Sequence, residues 1–243
     1  MTHETDPSWF YWPGLDEDSL RVTGDEAHHM RTTRRLGPGD AVTLFDGAGR
    51  RVTGEIVRAD RREVEVVVHN RHAESARSGR LTLAVAMPKG KRQDVLIEKL
   101  TELGAEAVWP MITQRSVVRP DADRTAKWRR SAIEAAKQSH QTFLPGILPP
   151  QLYAEVVRQA DGFDYVLLAS LTSDAAPIHV LLSAYAPSDS VLALVGPEGG
   201  FSPEEHDAAL AVGARPVRLA PGVLRVETAA IALAAIYAAT LPA

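Results

Sequence analysis

The chain has no cysteine, which excludes disulfide bridges and thiolate-held metal centres. That usage fits the cytoplasm, where the protein is expected to act. A long apolar run is also missing. Nothing approaches the roughly 18 to 20 residues of a membrane span, because the alanine-rich stretch near the C-terminus is short and weakly hydrophobic. The N-terminus, with His3, Glu4 and Asp6, lacks the basic-then-apolar pattern of a secretory signal. A large excess of one charge is absent too, and a net charge of −4 by itself advertises no nucleic-acid partner. What is present is 243 residues, 45% of them hydrophobic, enough for a proper core in one or two domains.

Charge by segment says more than the total. Arg31, Arg34, Arg35, Arg50, Arg51, Arg58, Arg61 and Arg62 make one basic zone, and basic residues lead again from Met87 to Pro145. After Pro145 the acids dominate. The two basic zones can track a phosphate backbone or simply decorate solvated strand edges.

The most informative stretch is Val191 to Thr240. Val191 to Val195 reads as a short strand buried on both faces. Gly196, Gly199 and Gly200 follow, with Pro197 among them, in a turn that lets another backbone or a ligand come close. Ser202 as N-cap, Pro203 at the first helical position and Glu205 completing a capping box predict a helix to about Val212, stopped by Gly213. Val217 to Leu219 reads as another strand. Beyond Pro221-Gly222 comes a helix of small apolar residues, Ala229 to Ala239, apolar around most of its circumference and so buried against the sheet or a second subunit. Arg225, Glu227 and Thr228 stand just before it, where Arg225 and Glu227 can be an ordinary capping ion pair. Two glycine-rich loops after buried strands are where open α/β sheets hold ligands. The segment GPEGGFS, Gly196 to Ser202, is neither a P-loop nor G-x-G-x-x-G, so a nucleoside or amino acid held by backbone groups suits it better than phosphate.

Upstream, strands are expected at Leu81 to Ala86, Val108 to Ile112 and Tyr165 to Ala169, the last with a third ligand loop at Ser170 to Ser173. Helices are expected at Arg92 to Leu103, ending at Gly104, and at Trp128 to Ser139. This alternation predicts an α/β fold with a mainly parallel sheet. To about Arg80 the chain is mostly β: Leu20 to Thr23, Ala41 to Phe45, Arg51 to Arg58 and Glu63 to His69, with a hairpin at Asp46-Gly47-Ala48-Gly49. A short helix from Gly24 to Met30 presents Arg31, Arg34 and Arg35. The aromatic run Trp9 to Trp12 suits stacking on RNA bases, but burial as the first strand of a small barrel is favoured. Ala73 to Arg80 reads as a linker. Adjacent His28 and His29 point apart and have no partner at ligand spacing, so no metal is expected.

GPEGGFS together with LRVETA, Leu224 to Ala229, resembles the signature pair of the RsmE-type ribosomal RNA uridine-N3 methyltransferases of the SPOUT superfamily. Lys99 with Glu102-Leu103-Gly104, Gln114-Arg115-Ser116, and Glu134 to Ser139 are similar to further family elements. The family's histidine and arginine in the N-terminal helix fall on His29 and Arg35. Thr33-Arg34 stands where Val-Leu is usual, and Gln141 where an arginine is frequent.

The resemblance implies a C-terminal SPOUT α/β trefoil-knot domain, residues 76–243, preceded by a PUA-like RNA-binding β-barrel, residues 1–75. It implies S-adenosyl-L-methionine as methyl donor, held by Leu168, Ala169, Val195, Gly196, Pro197, Glu198, Gly199, Gly200, Leu219, Gly222 and Leu224. Methyl transfer from a sulfonium is an in-line displacement needing alignment and a nucleophilic acceptor but no metal. On that reading Arg225 stabilises the uracil anion, and Glu227 or Glu198 orients the base or takes its proton. The alternative for Glu198 is to hold the turn by accepting backbone N–H bonds. RNA contacts are expected from Arg31, Arg34, Arg35, Lys89, Lys91, Arg92 and Arg115. The implied partners are 16S rRNA or the small ribosomal subunit and a second copy, as a homodimer meeting through Ala229 to Ala239. Ribose 2′-O methylation, or RNA binding without catalysis, are the rival activities.

Overall fold

The computed structural model of the chain describes residues 7–74 and 79–241. His3, Glu4, Asp6 and residues 75–78 of the expected linker lie outside the described residues. The chain divides into two compact units: Met1–Arg77 with Ala136–Leu144, and Ser78–Ala135 with Pro145–Ala243.

The first unit is a five-stranded half-barrel. Its strands are β1 (Ser8–Tyr11), β2 (Ser19–Thr23), β3 (Ala41–Phe45), β4 (Arg50–Ala59) and β5 (Glu63–Ala73), in the order β1-β3-β4-β5-β2. The β1 and β3 pair is parallel, and the rest are antiparallel. Period-two alternation turns Val42, Leu44, Val52, Ile56, Val64 and Val66 onto one core with Phe10, Leu20 and Val22. The aromatic run is that core's first strand: Phe10 is fully buried and Trp9 nearly so, which removes both from base stacking. Between β2 and β3 lie α1 (Gly24–His28) and a π-helical turn, His29–Thr33, that buries Met30. Wide turns of this kind carry no periodic signature.

Ala136–Leu144 completes this unit. Lys137, with its side chain only 4% exposed, places Nζ 3.0 Å from Glu26 Oε1 and 2.9 Å from His29 Nδ1. Burying an ammonium requires such compensation. Phe143 and Leu144 press on the hairpin turn before β4. A side chain at Gly47 would meet Leu144 at 2.6 Å, and one at Gly49 would overlap the Phe143 ring.

The second unit is an eight-stranded sheet with helices. It runs β6 (Arg80–Val85), α2 (Arg92–Glu102), β7 (Ala107–Ile112), α3 (Ala122–Ser139, whose last turn belongs to the first unit), β8 (Gly146–Ile147), β9 (Gln151–Leu152) and α4 (Tyr153–Arg158). It continues through β10 (Tyr165–Ala169), β11 (Ala176–Pro177), α5 (Ile178–Leu182), β12 (Ser190–Val195), α6 (Pro203–Ala211), β13 (Arg215–Arg218) and α7 (Val226–Ala238). The order is β11-β13-β10-β12-β6-β7-β8, with β9 also on β7. Every pair is parallel. The central strand β12 is buried at all six positions, as its unbroken apolar run requires in a sheet covered on both faces.

In the first unit β5 runs on to Ala73 rather than ending at His69, and in the second unit three boundaries differ from the sequence reading by more than one residue. Helix α3 begins at Ala122, well before Trp128, because its polar first turns lie on an exposed face. Strand β13 pairs through Arg215–Arg218, since pairing with β10 rather than apolar content fixes its limits. Helix α7 begins at Val226, with Arg225 in extended conformation as N-cap, so Glu227 and Thr228 lie inside its first turn.

A Gly49→Ala chain is expected to lose about 2 kcal/mol of stability in urea unfolding, because its φ of +93° strains any L side chain and the methyl meets Phe143. Unchanged stability would mean that Phe143 does not seat on this turn.

Candidate active site

Parallel pairing sends the carboxyl ends of β10, β12 and β13 to one edge of the sheet, where open α/β sheets bind ligands. The three loops that leave them line a cavity of about 420 Å³, within the range of small-molecule sites. Of the residues expected to hold a donor, Ala169, Val195, Gly196, Pro197, Glu198, Gly199, Gly200, Leu219, Gly222 and Leu224 line it. Leu168 does not. It is fully buried in the core, paired across β10 and β12 with Leu194, and the cavity wall begins one residue later. Phe201, His206 and Val223 also line the cavity. His206 sits inside a helix that capping signals identify, but no motif marks it as a lining residue.

The wall is shaped by the glycine turn and what fastens it. Gly200 has φ +70°, which favours glycine. At Gly196 the missing side chain makes room for the Phe201 ring, which would lie 3.0 Å from a Cβ. Arg115 Nη1 donates to the Gly199 carbonyl at 2.8 Å, so this arginine ties down the turn. Immediately after it, Ser202 caps α6 as the sequence predicts: its Oγ accepts from Glu205 N at 3.2 Å, and Glu205 Oε2 accepts from Ser202 N at 2.9 Å. Glu205 Oε1 also accepts from Gln114 N at 2.7 Å, which joins the Gln114-Arg115-Ser116 loop to the same helix start. Ser202 Oγ donates to Glu204 at 2.7 Å, and that hydrogen bond holds the Glu204 carboxyl below the usual glutamate range.

The acidic and basic groups pair differently from the sequence reading. Arg225 and Glu227 form no ion pair. Glu227, its side chain 11% exposed, lies 3.5 Å through Oε2 from Arg92 Nη1. The same nitrogen is 3.4 Å from Glu198 Oε1. Glu198 therefore meets a guanidinium rather than the N–H groups of its own turn. Arg225 is exposed, and its guanidinium has no hydrogen bond or ion pair among the described residues. Lys89 and Lys91 are exposed on the turn before α2, whereas Arg92 and Arg115 are engaged within the protein. In the first unit Arg34 and Arg35 are exposed, and Arg31 donates to the Arg61 carbonyl at 2.7 Å.

The RNA methyltransferase domain family matches residues 75–238, and the RNA methyltransferase PUA domain family matches residues 22–68. The ribosomal RNA small subunit methyltransferase E of Synechocystis sp. is 32% identical over 231 residues, spanning 91% of this chain and 74% of the relative. That of Mycobacterium tuberculosis is 34% identical over 223 residues, 88% of this chain and 84% of the relative. Among solved structures, the Neisseria gonorrhoeae ribosomal RNA small subunit methyltransferase E bound to S-adenosyl methionine is similar with a TM-score of 0.85. It shares 29% identity and covers 95% of each chain. A Legionella pneumophila protein solved with the bound cofactor SAM has a TM-score of 0.86 and 27% identity, over 97% of this chain and 98% of the other.

Ser202→Ala removes the helix cap and should cost about 1 kcal/mol in urea unfolding at neutral pH. It also removes the donor to Glu204, whose carboxyl should then titrate at higher pH by NMR. Because the folded carboxyl of Glu204 is depressed, its contribution is present above the ordinary glutamate range and lost as pH falls through its own titration. The stability gap between the two proteins should therefore narrow in acid, and a gap that widens would contradict this cap.

Proposed function

The chain belongs to the ribosomal RNA small subunit methyltransferase E family and is an S-adenosylmethionine-dependent methyltransferase of small-subunit ribosomal RNA, in which we propose N3 of one uridine of 16S RNA as the acceptor. The observation that carries the reading is the cavity at the strand ends, walled by the GPEGGFS and LRVETA loops.

The wall fits the donor. Three loops offer backbone groups and close approach at glycines, and apolar Leu219, Val223 and Leu224 offer a bed for a nucleoside. Bound there, S-adenosylmethionine supplies an electrophilic methyl on a sulfonium. The chain's own task is to hold the uracil in line, carry away the N3 proton and stabilise the charge left on the ring oxygens. Arg225, exposed at the mouth of α7 and unengaged among the described residues, is the group for that charge. Glu227 or Glu198 orients the base or takes the proton. Unstacking the uridine costs a few kcal/mol, which contacts to flanking RNA offset. Arg31, Arg34 and Arg35 of the half-barrel and Lys89 and Lys91 of the second unit are suited to those contacts, within domain limits of 1–75 and 76–243.

The knot, the homodimer and a cytoplasmic site of action belong to the same proposal. The knot is supported by the strand order: the chain passes from β12 beyond β10 to β13 and returns to pack α7 against β6 and β12. The dimer is supported by the outer stripe of α7, where Ala232, Ala235 and Ile236 stay half-exposed. Among the described residues no helix is long and apolar enough to cross a membrane.

Calorimetry should find S-adenosylmethionine binding that Gly200→Val abolishes, since valine cannot keep the turn at φ +70°. Arg225→Ala should retain donor binding and lose about 100-fold in turnover. Nuclease digestion of the methylated RNA should give N3-methyluridine. A methyl on ribose would overturn the acceptor, and an Arg225→Ala enzyme with normal turnover would overturn the role of that arginine.

A further inference from the structure

Arg92 stands at the first position of α2, where a helix dipole disfavours a cation, and Lys91 provides no side-chain cap. Its place is explained by what it faces. One nitrogen, Nη1, lies 3.4 Å from Glu198 of the donor loop and 3.5 Å from Glu227 in the first turn of α7. Oε2 of Glu227 is buried and accepts no hydrogen bond among the described residues, so the guanidinium is the charge that answers it. Without that cation two carboxylates would face each other, one of them nearly buried.

The start of α2 is itself fixed. Gln93 is buried, donates through Nε2 to the Pro88 carbonyl at 2.7 Å and accepts from Arg124 at 3.2 Å. Helix α2 also packs along α7. A rigid stem therefore carries the guanidinium to the point where the two signature loops meet.

We propose that Arg92 is a positioning residue of methyl transfer: it locks Glu198 and Glu227 to one another, so that the donor loop and the start of α7 are set as one piece. This rests on the reading of the cavity as the methyl-transfer site. The competing role, binding an RNA phosphate, predicts a different kinetic signature. Removing a phosphate-binding cation would raise KM for RNA, leave kcat unchanged and lower the salt slope of RNA binding by about 1. Removing a clamp would lower kcat, because misplacement of the order of 1 Å can cost about 100-fold, and would leave the salt slope alone.

The test compares wild type, Arg92→Met, Arg92→Lys and the double variant Arg92→Met with Glu227→Gln, on small-subunit RNA with S-adenosylmethionine. The positioning role expects kcat to fall about 100-fold in Arg92→Met with KM for RNA little changed, and to recover in part with lysine, which keeps the charge. Thermal melts expect Arg92→Met to be destabilised and the added Glu227→Gln to relieve part of that loss, a coupling that needs no activity to be seen. Normal kcat with raised KM and a reduced salt slope overturns the proposal, as does additivity in the melts. A wild-type protein that binds no donor and transfers no methyl, while the melts still show coupling, overturns the reading of the cavity instead.

Discussion

Parallel pairing is the constraint from which the rest follows. A strand cannot return beside its neighbour in the same direction without a crossover, so the carboxyl ends of β10, β12 and β13 all open on one edge. Three loops from separate parts of the sequence meet there, and the cavity is the space they leave. The apolar runs of β6 and β12, buried at nearly every position, make that edge rigid. Chemistry that relies on alignment more than on reactive side chains is well served by such a frame.

Much of this was legible in the sequence where a local rule governs. Ala41–Phe45 and Tyr165–Ala169 are strands at the limits their residues suggest, and Ser202, Pro203 and Glu205 start α6 as a capping box does. The cavity loops were legible as glycine-rich turns after buried strands, whereas the identity of the donor they hold came from the resemblance of the motif pair. Long-range pairing was not legible. Arg225 and Glu227 are two residues apart, and an ion pair between them is the natural local reading. The helix instead begins at Val226, which leaves Arg225 outside and turns Glu227 toward an arginine more than a hundred residues earlier. Leu168 illustrates the same limit on a smaller scale. Val166 to Leu168 are buried in succession, and the cavity begins only at Ala169, the last residue of the strand, a limit set by where β10 ends and not by any pattern along it.

Charge also distributes differently from its count. Arg92 and Arg115 lie in a locally basic segment, yet both serve the interior of the site, one against two acids and the other on a carbonyl. Lys89 and Lys91, beside them, are left exposed. A chain of net charge −4 can thus present cations to a polyanion, because its acids near the site are answered from within.

The wedge made by Phe143 and Leu144 against the glycine turn bears on the order in which the protein is made. All five strands of the half-barrel leave the ribosome before Ala136–Leu144 does, so the unit has its sheet early and its last packing partners late. In the interval Trp9 and Phe45 lack the neighbour that Ala136 later provides. Translation must run well into the second unit before the first is finished, which ties the maturation of the N-terminal unit to the birth of the catalytic one.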